Sequence, residues 1–200
     1  MARRKNLKFT TKDGRTLVLR PLASTDVVAM LRFANALVKE KKENRDLGVA
    51  SFDRRLTKEF EEKFLRSMLE GTKKRRAVSV AAFDGGRLVG ECMVRGREPS
   101  DLGHTGLLGI VILEGYRGVG LGEKLMIEAL DEAKRIGIWL IELEVLAINK
   151  GAARLYEKVG FMKVGVVPNK IQRDGRHIDI VAMYADLRND KSPLARRGES

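Results

Sequence analysis

A single cysteine, two histidines and no apolar run long enough to span a bilayer set the first limits on this 200-residue chain. With Cys92 alone, no intramolecular disulfide can form, and a lone thiol suits a reducing compartment. Cys92 lies in the apolar run from Leu88 to Val94, which marks it as a small core residue rather than a nucleophile. His104 and His177 are far apart and have no cysteine pair beside them, so no metal site is expected, zinc in particular. A membrane helix needs about 20 consecutive apolar residues, and none is present. The charged N-terminus Met-Ala-Arg-Arg-Lys-Asn leads into no apolar secretory segment, so a cytoplasmic protein is expected. Internal repeats and low-complexity segments are also missing.

The chain does have an excess of positive charge, +12. Such a balance attracts polyanions, whether nucleic acid, an acidic protein surface or a phosphate-bearing cofactor. Much of the excess lies in Arg3-Arg4-Lys5, Lys73-Lys74-Arg75-Arg76 and the pair Arg196-Arg197, runs that read as solvated surface. With 44% hydrophobic residues the chain can bury a core, and its length fits one domain, expected over 1–187 with a flexible basic tail over 188–200.

The pattern predicts a mixed α/β order. A short strand spans Thr16 to Arg20, and Ser24-Thr25-Asp26 offer caps for a helix with Val27, Met30, Leu31, Ala34 and Leu37 at helical spacing. The stretch from Lys41 to Leu56 reads as a loop. Thr57 caps a second helix bearing Phe60, Phe64, Leu65 and Met68. Strands follow at Ala77–Phe83 and Arg87–Val94 around the turn Asp84-Gly85-Gly86, and at about Gly106–Leu113. A helix then runs from Leu121 to Gly137, a strand from Trp139 to Leu146 and a short helix from Asn149 to Val159. The last two strands, about Phe161–Val167 and His177–Leu187, flank a loop with Arg173-Asp174-Gly175-Arg176. A mostly antiparallel central sheet flanked by helices, with one crossover helix between two neighbouring strands, satisfies this order.

The segment Arg117-Gly118-Val119-Gly120-Leu121-Gly122 follows an apolar strand and opens a helix. Glycine lets the backbone approach a ligand, the free amides and dipole of a helix N-terminus favour phosphate, and Arg117 adds a charged donor. Glycines serving geometry alone would read the same way. A Walker loop is excluded because Glu123-Lys124 follows Gly122, and a dinucleotide fingerprint needs a different glycine spacing within an early strand-helix-strand unit.

With Leu143-Glu144-Val145, Asn149 and Leu155-Tyr156-Glu157-Lys158-Val159-Gly160-Phe161 in order behind it, Arg117-x-x-Gly120-x-Gly122 resembles the acetyl-CoA motif of the GNAT superfamily of N-acetyltransferases. The resemblance spans about 76–187. The spacing of Glu144, Asn149 and Tyr156 is similar to that of bacterial ribosomal-protein N-terminal alanine acetyltransferases. One departure is Glu114, where family members often carry proline.

The resemblance implies a GNAT-like α/β (α+β) fold, acetyl-CoA as co-substrate, and acetyl transfer to an amine. It assigns the pantetheine arm and thioester oxygen to backbone groups of Ile110, Val111 and Ile112. The phosphates fall to Arg117, Gly118, Val119, Gly120, Leu121, Gly122 and Glu123, with Asn149 on the cofactor arm. Glu144 is implied as general base and Tyr156 as general acid. Alternation on the strand places Glu142 and Glu144 on one face, opposite Leu143 and Val145.

The resemblance also implies an acceptor site between the loops 41–56 and 169–177. A chain of charge +12 repels a polyamine unless a local acidic pocket exists. A protein N-terminus or lysine is expected ahead of an amino acid, a sugar amine or an antibiotic. Rival readings are a non-catalytic, basic nucleic-acid-binding protein of the same fold, and a regulatory domain that binds acetyl-CoA without turnover. Monomer and homodimer both remain open.

Overall fold

The computed structural model describes residues 6–48, 54–98 and 101–188. In chain order the elements are β1 (Leu7–Thr10), β2 (Thr16–Arg20), α1 (Val27–Glu43), α2 (Lys58–Lys73), β3 (Ala77–Asp84), β4 (Arg87–Gly96), β5 (Thr105–Ile112), α3 (Leu121–Arg135), β6 (Leu140–Leu146), α4 (Lys150–Val159), β7 (Met162–Arg173) and β8 (Arg176–Asp186). The eight strands form one sheet in the order β1-β2-β3-β4-β5-β6-β8-β7. Every pairing is antiparallel except β5 with β6, which α3 connects as the crossover helix.

Helix α3 forms because its apolar residues recur on one face, and Leu121, Leu125, Met126, Ala129, Leu130 and Ala133 are all fully buried against β3 and β4. Burying the four large side chains among them contributes on the order of 10 kcal/mol before conformational entropy is subtracted. Helices α1 and α2 also pack on β3 and β4, and β3 is buried on both faces, as a central strand between two helical layers must be. Thr57 caps α2 by accepting from the Phe60 N–H at 3.3 Å, as its sequence position predicts. Cys92 is fully buried, and burial together with the neighbouring Glu91 pushes its thiol pKa up, in keeping with a core role.

Three local expectations need correction. Strand β1 carries no sequence signal because it is an outer strand with little buried surface, so no alternation is imposed on it. Helix α1 runs on through Lys41 to Glu43, where a loop was expected, because Lys41 is itself buried on its inner face. The expected loop over 169–177 is largely strand: β7 continues to Arg173 and turns into β8 through Asp174-Gly175, both at positive φ (51° and 74°). Asp-Gly is a strong signal for such a tight hairpin, and the charged residues around it mask it. The tail expectation falls mainly on 189–200, outside the described residues. Arg188 itself is held by Asp186 and lies 3.4 Å over the Trp139 ring.

Candidate active site

Strands β5 and β6 pair only at Thr105, Gly106 and Leu107, opposite Leu140, Ile141 and Glu142. Beyond those residues the ladder stops, while β5 stays bonded to β4 as far as Ile112. The split opens a wedge, and a cavity of about 580 Å³ occupies it, within the size range of small-molecule sites. One wall carries Ile110, Val111 and Ile112 of β5, and the other carries Glu144, Val145 and Leu146 of β6. Because the β5 edge has no partner strand there, its backbone polar groups other than the Ile112 carbonyl, which Arg117 holds, are available to a ligand.

At one end of the wedge the chain turns through Arg117 to Gly122 into α3. Gly120 holds φ +88° as the residue preceding the helix, a left-handed conformation that costs other residues roughly 1–2 kcal/mol. Gly122 is needed for another reason: a Cβ there would lie 2.9 Å from Leu155 Cδ2 and 3.3 Å from Ile112 Cδ1. The first amides of a 15-residue helix therefore face the cavity without side-chain obstruction, with Lys12 and Lys158 lining the same space. These features fit a phosphate-bearing ligand.

Gly120→Ala is expected to weaken acetyl-CoA binding at least tenfold and to destabilise the fold by roughly 1–2 kcal/mol. Calorimetry and thermal melts would measure the two effects separately. Unchanged affinity would show that the cofactor does not use this turn.

The cavity brings together most of the sequence-predicted residues: Ile110, Val111, Ile112, Arg117, Gly118, Gly120, Gly122, Glu123, Glu144, Asn149 and Tyr156 all line it. Val119 and Leu121 differ, since their side chains pack into the core and only their backbone groups remain for a ligand. The Val119 carbonyl already accepts from the Lys12 N–H at 3.0 Å.

Arg117 is more committed than its sequence position suggests. Its Nε donates to the Ile112 carbonyl at 2.8 Å, and its Nη2 pairs with Glu40 of α1. The other oxygen of Glu40 accepts from the Glu114 N–H at 3.0 Å. Arg117 and Glu40 thus brace the turn against α1, and Glu114 supplies an N–H that a proline there would lack. Glu123 is neutralised by Lys158 at 2.6 Å, which removes a charge that would oppose phosphate.

Asn149 caps α4 by accepting from the Ala152 N–H at 3.1 Å. The loop after α1 comes so close that a Cβ on Gly48 would lie 2.7 Å from Asn149 Nδ2. Glu144 faces out from β6, half exposed and paired with Lys170 Nζ, while Glu142 on the same face pairs with Arg97. Leu143 and Val145 point into the core, as the alternation requires.

Tyr156 is buried, with its ring edge against Phe161 at 5.9 Å. Burial, and secondarily Cys92, push its pKa above the ordinary phenol value, so it stays protonated through the physiological range.

Lys12, in the turn after the unread strand β1, carried no sequence signal, and Asn44, Asp46, Leu47 and Gly48 belong to the segment expected to face the acceptor, with no motif to single them out. This segment is fastened to the β7–β8 hairpin: Arg45 pairs with Asp174 at 2.7 Å, and Arg176 with Asp46 at 2.9 Å. Arg173 donates to the carbonyls of Arg45 and Leu47.

Comparison with known proteins places this geometry. Over 83 residues the chain is 34% identical to a Bacillus subtilis protein assigned provisionally to phosphinothricin acetylation, covering 42% of this chain and 51% of that one. Over 80 residues it is 30% identical to an L-methionine sulfoximine/L-methionine sulfone acetyltransferase of Salmonella typhimurium, covering 40% and 47%. The chain spans about half the length of the curated relatives it matches. The crystal structure of a GNAT-family acetyltransferase from Streptococcus pneumoniae superposes with a TM-score of 0.73 at 26% identity, over 85% of this chain and 99% of that one. A profile of the acetyltransferase (GNAT) family matches residues 43–161, and the chain belongs to that family.

Proposed function

We propose that the protein transfers an acetyl group from acetyl-CoA to a small primary amine of the amino-acid class. The observation that carries this reading is the wedge, where the glycine turn, two lysines and a buried phenol line one cavity. Acetyl-CoA supplies an activated thioester. The amides at the start of α3, with Lys12 and Lys158, hold its phosphates, while the free edge of β5 orients its arm. Glu144 accepts a proton from the acceptor amine after Lys170 is displaced, and Tyr156 donates the proton that a departing thiolate needs.

The expectation from the sequence is a protein amine, but the acceptor side of the cavity supports a smaller one. Two ion pairs and the Arg173 contacts tie the loop after α1 to the β7–β8 hairpin, a closure that leaves little room for an extended polypeptide. Lys170, paired with Glu144 at the cavity wall, suits an acceptor that carries a carboxylate. The relatives named for methionine sulfoximine and phosphinothricin acetylation lend support.

The test is a screen of L-amino acids and their analogues, amine-bearing peptides and polyamines, followed by thiol release. Turnover is expected with an amino-acid-type amine and is expected to drop sharply in Glu144→Gln. Turnover with peptides alone would restore the protein-amine reading. Acetyl-CoA binding with no turnover on any amine would favour a regulatory domain.

A further inference from the structure

A second cavity, of about 800 Å³, lies away from the wedge, between α1, β2 and the turn joining β3 to β4. Small residues on α1 and in the turn help to open it. Ala29 and Ala36 stand two helical turns apart on α1, and Gly85 and Gly86 in the turn have open space where side chains would be. Its floor is apolar, made of Phe33, Phe83 and Leu88, all buried. Val28 at its margin is an exposed aliphatic residue, 49% accessible.

The rim has the opposite character. Arg20, Arg32 and Arg87 line it, against a single carboxylate, Asp26. Arg20 already neutralises Asp26 through contacts of 2.7 and 2.8 Å, and its guanidinium lies 3.8 Å over the Phe83 ring. Asp84, the register partner of Arg87, accepts from the Tyr116 hydroxyl at 2.7 Å. Among the described residues, Arg32 and Arg87 form no ion pair. An apolar floor beneath unneutralised guanidinium groups complements an anion with an apolar body, since the body gains by burial and the head by charge-assisted hydrogen bonds.

We infer that this cavity is a second binding site, distinct from the acetyl-transfer wedge, for a small apolar carboxylate. Its location on α1 and β2 shares no lining residue with the wedge, so occupancy does not require acetyl-CoA.

Calorimetry on the full chain without acetyl-CoA tests the site, with octanoate, octylamine and octanol as probes of equal length. Octanoate is expected to bind, and the amine and the alcohol to bind at least tenfold more weakly. The double variant Arg32→Gln/Arg87→Gln, altered at exposed positions, is expected to lose octanoate at least tenfold while its melting temperature and thiol release stay as in the parent. Ala29→Leu, which narrows the cavity from its α1 side, is expected to weaken octanoate without altering the arginines of the rim. No heat with octanoate up to about 10 mM would overturn the site. Equal affinity in the double variant, equal binding of octylamine, or full displacement of octanoate by equimolar inorganic phosphate would overturn it too.

Discussion

Glu91→Gln is expected to stabilise the protein by about 3 kcal/mol at pH 8 and to change little where the carboxyl is protonated in both states. Glu91 lies on β4 and is buried, with the Ser79 hydroxyl donating to it at 3.0 Å. Burial raises its pKa from 4.5 to about 7, opposed by the Ser79 bond, with Glu61 adding to the rise and Arg95 lowering it. Burial raises the pKa of Glu61 on α2 as well.

Below pH 4.5 the Glu91 carboxyl is protonated whether the chain is folded or not, and stability is at its full value. Between 4.5 and about 7 the unfolded chain ionises while the folded chain keeps its proton, so stability falls as pH rises. Above about 7 both forms are ionised and the loss is complete. At about 1.4 kcal/mol per pH unit, that window gives the figure of about 3 kcal/mol.

Glutamine keeps an acceptor for Ser79 and removes the charge. Urea unfolding of the parent and variant at pH 5 and pH 8 measures the difference. The variant is expected to melt roughly 6–12 °C higher at pH 8. Parallel stability curves for the two proteins across this range would show that Glu91 does not titrate in the fold.

Tyr156→Phe is expected to lower turnover by roughly 10²–10³ while acetyl-CoA affinity stays within about twofold. The phenol lies in the apolar core beside Phe161, so phenylalanine keeps the packing and removes only the hydroxyl. Because its pKa is raised by burial, the parent enzyme is expected to lose no rate through phenol ionisation at any pH in its working range. Single-turnover kinetics with calorimetry separates the chemical step from binding. An unchanged rate would leave Tyr156 as a core residue only, and a fall in affinity matching the fall in rate would make it a binding residue.

The order of elements from β2 to α4 was legible because each has its own local signal. The apolar spacing of Leu121 to Ala133 predicts α3, and Asn149 and Gly160 delimit α4 as an N-cap and a left-handed C-terminal residue. The glycine turn that lines the cavity was legible for the same reason, since its glycines stand at fixed offsets along one stretch of chain. What stayed hidden lies far apart in sequence. Glu40 reaches Arg117 across 77 positions, Arg45 reaches Asp174 across 129, and neither side chain carries a pattern that points to its partner.

By itself, then, the sequence determined the glycine turn, the helix that follows it and the strand bearing Glu144, because backbone conformation and alternation act over short range. Tertiary structure decided where β5 and β6 part, and so where the cavity opens. It also decided that Glu144 is held by Lys170, that Tyr156 is enclosed, and that Arg117 braces the turn as well as facing the cavity. Burial and ion pairing depend on which distant surfaces meet, and the order of residues along one strand or helix does not contain that information.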